Sequence, residues 1–304
     1  MRERSRAPIT VGDCLEEAHV TVAPTHDLAL VHLAVKSYGE TAFARFVESY
    51  RRHPAGRPHD LIIVAKQFAD EADFAPFARY LDGLPYRLLL MPDQGIDLGT
   101  YFTVARAQPY ARYCFLNSLS EILVDGWLDK LVCALEAAPG GVAGTSGSRR
   151  SVSSGVRRMH YPGVPQALQK LRGLLGFWKV ALTYPPFPNP HLRTNGFVIA
   201  RDTVLRLNLP PFRTKPDTSI FESGWGNLSR QIWKLGGKVL VVDRTGRAHD
   251  VPDWADSETF WAGQQQGLLV ADKQTRMFIS ASETRRALLN RLAWGPDGPD
   301  LIET

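Results

Sequence analysis

The sequence predicts an α/β fold, with a mostly parallel central sheet and helices on both faces. Short apolar runs recur in it, such as Leu28-Ala-Leu-Val-His-Leu-Ala-Val35 and Asp60-Leu-Ile-Ile-Val-Ala65, and a strand reads this way when both of its faces are covered. Stretches with helical apolar spacing stand between these runs, the first carrying Phe43, Phe46, Val47 and Tyr50. Strand and helix in alternation imply right-handed crossovers and a parallel sheet buried between two helical layers.

The elements follow in order. After the first β-α unit and the strand at Asp60, Phe74 to Leu81 reads as a helix and Tyr86 to Met91 as the third strand. Gly99 to Ala107 reads as a helix and Ala111 to Leu116 as the fourth strand. Asp125 is placed to cap a helix whose stripe is Trp127, Leu128, Leu131, Val132 and Leu135, and Pro139-Gly140 ends it. Gly141 to Gly147 is a short strand running into a small-residue loop. From 149 to 190 the alternation lapses into a basic insertion. Within it Leu168, Leu171, Leu175, Trp178 and Leu182 fall on one helical face, an arrangement that suits a bilayer interface or equally a helix packed on the domain itself. Regular structure resumes with the strand Asn195 to Ala200, a helix from Asn227 to Leu235 stopped by Gly236-Gly237, and the strand Lys238 to Asp243.

The 304 residues therefore read as one domain over 26–280, with a flexible tail at 1–25 and another at 281–304. A hydrophobic share of 44% against 22% charged residues supports a real core and excludes disorder throughout. No window approaches the roughly 18 uninterrupted apolar residues of a membrane span, and no apolar stretch follows the basic start. Cys14, Cys114 and Cys133 form no C-x-x-C pair, so neither a zinc site nor a disulfide framework is expected. These features point to a cytoplasmic protein whose membrane contact, if any, is peripheral, at the inner face. The net charge of +5 favours an anionic partner.

In open α/β sheets ligands sit outside the carboxyl ends of the strands, which puts Asn117, Ser118, Ser120 and Glu121 where chemistry is expected. Phe115-Leu-Asn117-Ser followed by Gly126-Trp127-Leu128 resembles the F-L-D-x-D segment and following G-W-L helix of family 2 glycosyltransferases, which have the Rossmann-like GT-A fold. Asp97-Leu-Gly99-Thr-Tyr-Phe, Thr194-Asn195-Gly-Phe-Val-Ile-Ala200 and Phe221-Glu222-Ser with Arg230 to Val242 resemble further segments of that family in the same order. The resemblance runs from Leu28 to His249 and implies a hexosyltransferase-type enzyme that moves a sugar from a nucleotide-sugar to a hydroxyl of a glycan or lipid-linked acceptor, with inversion.

One departure bears on mechanism. Where the family carries DxD carboxylates for a divalent cation, this chain has Asn117-Ser118-Leu119, poor ligands for Mg²⁺ or Mn²⁺. No metal or other cofactor is therefore expected, and Glu121 restores a ligand only through a shift of register. The alternative reading is a catalytically inactive GT-A-like protein that binds a glycan or a partner in polysaccharide assembly.

The candidate site follows from the same alignment. Glu222 is the candidate base, placed just before a helix with Ser223 as its cap. Donor contacts are assigned to Asp70, Asp93, Asp97, Asn117, Ser118, Arg193 and His249, and acceptor contacts to Trp225 and Asn195. Arg149, Arg150, Arg157, Arg158, Arg193, Lys215, Arg244 and Arg247 are expected to meet the diphosphate's charge. Other classes are poorly supported. Gly144-Thr-Ser-Gly-Ser148 lacks the last glycine of a serine hydrolase elbow, neither a P-loop nor a G-x-G-x-x-G occurs, and no motif reads nucleic acid.

Overall fold

The structure, a computed structural model, describes residues 24–93, 96–153 and 178–296. The chain lays down β1 (Leu28–Val35), α1 (Glu40–Arg52), β2 (Asp60–Lys66), α2 (Glu71–Ala78), β3 (Arg87–Met91), α3 (Ile96–Ala107) and β4 (Arg112–Leu116). After β5 (Glu121–Ile122) come α4 (Trp127–Glu136), β6 (Val142–Gly144), β7 (Gly147–Ser148), β8 (His191–Leu192) and β9 (Gly196–Ala200). The last part holds α5 (Arg201–Arg206), α6 (Lys215–Ser223), α7 (Leu228–Lys234), β10 (Val239–Val242), β11 (Ala248–His249), β12 (Val270–Ala271), α8 (Lys273–Ile279) and α9 (Glu283–Trp294).

Eight strands form the central sheet in the order β11-β10-β6-β9-β4-β1-β2-β3. This is the mixed α/β architecture of GT-A-like and other Rossmann-like folds. Alternate residues of β1 serve opposite faces: Ala29, Val31 and Leu33 join one core, and Leu28, Leu30 and Ala34 the other. The second core is closed by Phe43, Phe46 and Val47 of α1, Phe74 and Phe77 of α2, and Trp127, Leu128 and Leu131 of α4. Each set recurs at three- and four-residue spacing, so the helix turns one stripe to the sheet. The first core takes Leu98, Tyr101 and Phe102 of α3, Phe221 of α6, Leu228 and Ile232 of α7, and Trp254. Gly99 of α3 lets that helix approach Phe212, whose Cβ would lie 2.8 Å from any Cβ added at the glycine.

The structure departs from the sequence reading in several places. β9 runs antiparallel to both β4 and β6, and β11 antiparallel to β10. Strand direction leaves no mark on an apolar run, so only the connections reveal it. The helix after β4 is capped by Gly126 and not by Asp125, whose carboxylate meets His53 Nδ1 at 2.8 Å. The C-terminal tail expected from 281 onward is α9 as far as Trp294, with Leu289, Ala293 and Trp294 in the core and the Trp294 indole N–H donating to Phe260 C=O at 2.8 Å. The Asp, Gly and Pro content behind that expectation begins only at Gly295. The N-terminal tail as far as residue 23, Arg157, Arg158 and the Leu168–Leu175 part of the amphipathic segment lie outside the described residues.

His32 sits mid-β1 with no exposure, stacked on Phe46 at 3.6 Å between ring centroids, and neither ring nitrogen has a hydrogen-bond partner among the described residues. Burial pushes its pKa down to about 3. The unfolded chain takes up this proton near pH 6.5 and the folded chain does not, so the contribution is complete above about pH 6.5 and is lost as pH falls toward 3. The slope is about 1.4 kcal/mol per pH unit. His32→Phe should therefore give a shallower fall in stability between pH 7 and pH 4.5, measured by urea unfolding, and an unchanged slope would refute this assignment.

Candidate functional site

The parallel strands β1, β2, β3 and β4 end on one side of the sheet, beside the point where β9 enters in the opposite direction, and the space outside these ends is the candidate crevice. Its floor is laced by polar groups. Lys66, the last residue of β2, is buried, and its ammonium lies 3.4 Å from Asp93 and 3.5 Å from the Ile96 carbonyl. Gln67 follows in the left-handed region at φ 67°, a conformation that costs a non-glycine residue about 1 kcal/mol or more. Its amide oxygen accepts from Ser37 N–H at 3.0 Å and its amide nitrogen donates to Asp93 at 2.8 Å, which ties the ends of β1, β2 and β3 together. Tyr38 stands exposed above them. Burial pushes its phenol up, and the charges of Asp97 and Asp93 add to the shift.

Two carboxyls share the crevice. Burial pushes Asp97 above the usual carboxylate range; Lys66 opposes this, Glu222 reinforces it and Lys215 opposes it, so Asp97 feels all three. Glu222 accepts from Thr194 N–H at 3.1 Å and from the Thr194 hydroxyl at 3.0 Å. Its position in the chain corrects the expected one. Glu222 lies in the last turn of α6, which starts at a Thr214/Asp217 capping box with Pro216 in its first turn, while the following helix is capped by Asn227. The negative pole of α6 is thus nearest Glu222, and it is Thr194 that holds the carboxylate, not a helix N-terminus.

The turn after β4 is joined to the start of β9. Asn117 N–H donates to Asn195 C=O at 3.1 Å, and Asn117 Oδ1 accepts from Leu119 N–H and the Ser120 hydroxyl, each at 3.0 Å. Ser118 is buried, with its hydroxyl lacking a partner among the described residues. The Asn195 amide faces the β6 end, accepting from Ser146 Oγ at 2.8 Å and donating to Thr145 Oγ1 at 3.3 Å. Gly196 fits this junction because a Cβ there would come within 2.9 Å of Thr145 Oγ1. Arg193 donates to Ser146 Oγ at 3.1 Å and to Asp272 at 2.6 Å, with Phe260 under its guanidinium at 3.9 Å. Burial works against the Asp272 charge, but Arg193 and the hydrogen bonds from Thr275 and Arg193 outweigh it and hold the carboxyl below the usual range.

Sequence reasoning missed three residues here: Lys66, Gln67 and His191. The first two end an apolar run, and that ending was the available signal. His191 is buried and its Nδ1 lies 2.8 Å from the Asn189 carbonyl, which can only accept. Nδ1 therefore carries the proton, and in the neutral ring Nε2 has a free lone pair. Burial pushes its pKa down, Glu222 opposes, and Arg193 and Arg150 push the same way as burial.

Other expected residues stand apart. Asp70 caps α2 by accepting from Asp73 N–H at 2.8 Å. His249 is buried against Asp243 at 2.9 Å, and four strand spacings separate β11 from β4, roughly 19 Å at about 4.8 Å each. Arg149 donates to the Val251 and Pro252 carbonyls and Arg244 to that of Gln266, so the expected cationic cluster is dispersed. Trp225 is exposed, with its indole N–H donating to Ala181 C=O at 3.1 Å.

A divalent cation, which the family resemblance implies, does not fit the residues present. Asn117 Oδ1 is engaged within its own turn, and Glu121 is held by Arg276 at 3.3 Å and Arg45 at 3.8 Å. Among the described residues no group of three or more His, Cys, Asp or Glu is arranged to hold a metal.

No family model and no curated protein matches the chain by sequence. Among solved structures it is similar to the bifunctional glycosyltransferase WbbM in its apo form, at 13% identity over 66% of this chain and 39% of that one, with a TM-score of 0.38. It is similar also to apo mouse xyloside xylosyltransferase 1, at 12% identity over 72% of this chain and 85% of that one, with a TM-score of 0.41. The chain spans about two fifths of the first protein's length.

The Arg193–Asp272 pair should dominate the local stability of the crevice wall. Asp272→Asn keeps a cap for α8 but leaves the arginine's charge buried, at a cost of about 3 kcal/mol. Combining it with Arg193→Met should cost well under the sum of the two single changes; additivity within about 0.5 kcal/mol in denaturant unfolding would show that the pair is not coupled.

Proposed function

We propose that the protein is a GT-A-like glycosyltransferase that moves a hexose from a nucleotide-sugar to a hydroxyl of a glycan or lipid-linked acceptor, with inversion and without a bridging metal. The observation that carries this reading is Glu222, fixed by two hydrogen bonds from Thr194 and within electrostatic reach of Asp97, which also feels Lys66 and Lys215. A carboxyl such as Asp97, raised by burial and surrounded by charged groups near the carboxyl ends of parallel strands, favours a functional site. The order of family-like segments in the sequence supports the same reading.

In this reading the nucleotide lies over the ends of β1 and β2, where the exposed Tyr38 ring offers a stacking face and Asp93 and Asp97 offer acceptors for ribose or base N–H and O–H groups. Glu222 takes the proton of the acceptor hydroxyl as its oxygen attacks the anomeric carbon. The bond from that carbon to the diphosphate oxygen breaks, and its electron pair leaves with the nucleoside diphosphate. Lys66 and Lys215 supply fixed positive charge for this group, in place of the ion that Asn117 cannot hold. His191 and Arg150 stand on the acceptor side, next to Glu222 and Arg193.

A panel of nucleotide-sugars, read as nucleoside diphosphate release with and without EDTA, tests the proposal. Turnover that EDTA leaves unchanged is expected for at least one donor. Glu222→Gln keeps shape and hydrogen-bonding reach but removes basicity, and a positioned base contributes roughly 10² to 10⁴ in rate. The variant should lose at least about a hundredfold in kcat while donor affinity stays within a few-fold. Near wild-type turnover by Glu222→Gln would move the base elsewhere; donor binding without turnover would favour the inactive, glycan-binding alternative.

A further inference from the structure

On the side of α6 that carries Ile220, the described residues include several exposed apolar side chains. Nine large apolar side chains are exposed among the described residues, and four of them, Trp178, Leu182, Ile220 and Trp225, lie on α6, the turn after it or the segment bonded to both. Hydrogen bonds hold these segments together. The helical segment at 178–183 lies along α6 and the turn after it: Trp225 N–H donates to Thr183 C=O at 3.2 Å, its indole N–H donates to Ala181 C=O, and the Tyr184 hydroxyl donates to Ser219 Oγ at 3.1 Å. Trp178 and Leu182 are four residues apart on one helical face, 56% and 77% exposed. Ile220 continues the surface into a cleft of about 450 Å³ between α5, α6 and α7.

The charges around this surface are nearly all of one sign. Lys179 is exposed beside Trp178, Arg230 lies 5.1 Å over the Trp225 ring, and Arg206 and Lys234 line the cleft. The acidic residues on the flanking elements are few. Asp217 is tied to Thr214 N–H at 2.8 Å as part of the α6 cap, and Asp202 sits at the opposite end of α5 from Arg206. Indole rings and leucine above a basic rim are the side chains that settle at a bilayer interface, where aromatic bodies lie at headgroup depth and lysine and arginine reach the phosphates.

We propose that this face docks the protein on an anionic lipid bilayer, with Trp178, Leu182, Ile220 and Trp225 in the interface and Lys179, Arg206, Arg230 and Lys234 on the headgroups. The proposal stands apart from the reading of the crevice. Ile220 and Glu222 are two residues apart, about 200° around α6, so docking through one leaves the other facing Thr194. A docked molecule keeps its crevice open beside the membrane. Among the described residues no helix is long and apolar enough to cross a bilayer, so the contact is at the surface.

Co-sedimentation of the full chain with vesicles of phosphatidylcholine alone, or mixed with phosphatidylglycerol, tests this without reference to catalysis. Binding to the mixed vesicles, weakened by salt, is expected. Trp178→Ala combined with Leu182→Ala should weaken it at least about tenfold, and Lys179→Glu with Lys234→Glu about fivefold or more for each charge removed. Near-ultraviolet circular dichroism checks that the variants stay folded. Equal recovery with both lipids, no binding to either, or binding indifferent to both double variants would overturn the proposal. So would a concentration-dependent dimer that these substitutions dissolve while vesicle binding is absent, since a second copy would then be the occupant.

Discussion

The crevice depends on one backbone hydrogen bond and the strand reversal behind it. Asn117 N–H donates to Asn195 C=O just past the point where Leu116 of β4 faces Gly196 of β9. Because β9 runs against its neighbours, its first residues, and not its last, arrive at the carboxyl ends of β4 and β6. Thr194 thereby stands at the crevice mouth with two donors for Glu222, Asn195 bonds to Thr145 and Ser146, and Arg193 reaches Asp272. A parallel β9 would send His191 to Asn195 to the opposite edge of the sheet. In open α/β sheets ligands sit where the strand order reverses, which here is between β1 and β4, next to β9.

Charge within the crevice is arranged in two sets with different tasks. Arg193 and Asp272 neutralise each other in the wall, and Arg276 and Arg45 occupy Glu121; these pairs stiffen the frame and leave little charge for a ligand. Lys66, Lys215, Asp97 and Glu222 form the second set, in which Asp97 feels a neighbouring carboxylate and two ammonium groups. In the proposed reading that balance supplies the acceptors and the cationic field, while the Asn117 amide oxygen is occupied within its own turn.

The sheet and most helices were legible in the sequence because burial on two faces leaves long apolar runs and burial on one face leaves a 3.6-residue stripe. Strand direction was not, since Gly196 to Ala200 reads the same either way. Glu222 was singled out through its neighbours in the chain, but its setting was misread because α6, which starts at Thr214-Lys-Pro216, passed unnoticed and Glu222 was set before the helix that begins at Asn227. His249 was assigned from the resemblance, which places a histidine after that strand; its ring is bonded to Asp243 inside the sheet edge. Lys66 and Gln67 end an apolar run and His191 follows Pro188-Asn-Pro190, and only the folded arrangement shows which of these positions converge.

Hydrogen exchange with and without nucleotide-sugars most directly tests whether these converging ends form a binding site. Slower exchange is expected at 66–68, 96–98, 117–120 and 194–196 when a matching donor is present, with the cleft between α5, α6 and α7 unaffected. If no donor slows exchange at those segments, or if the slowing is confined to that cleft, the crevice is not where this protein holds its ligand.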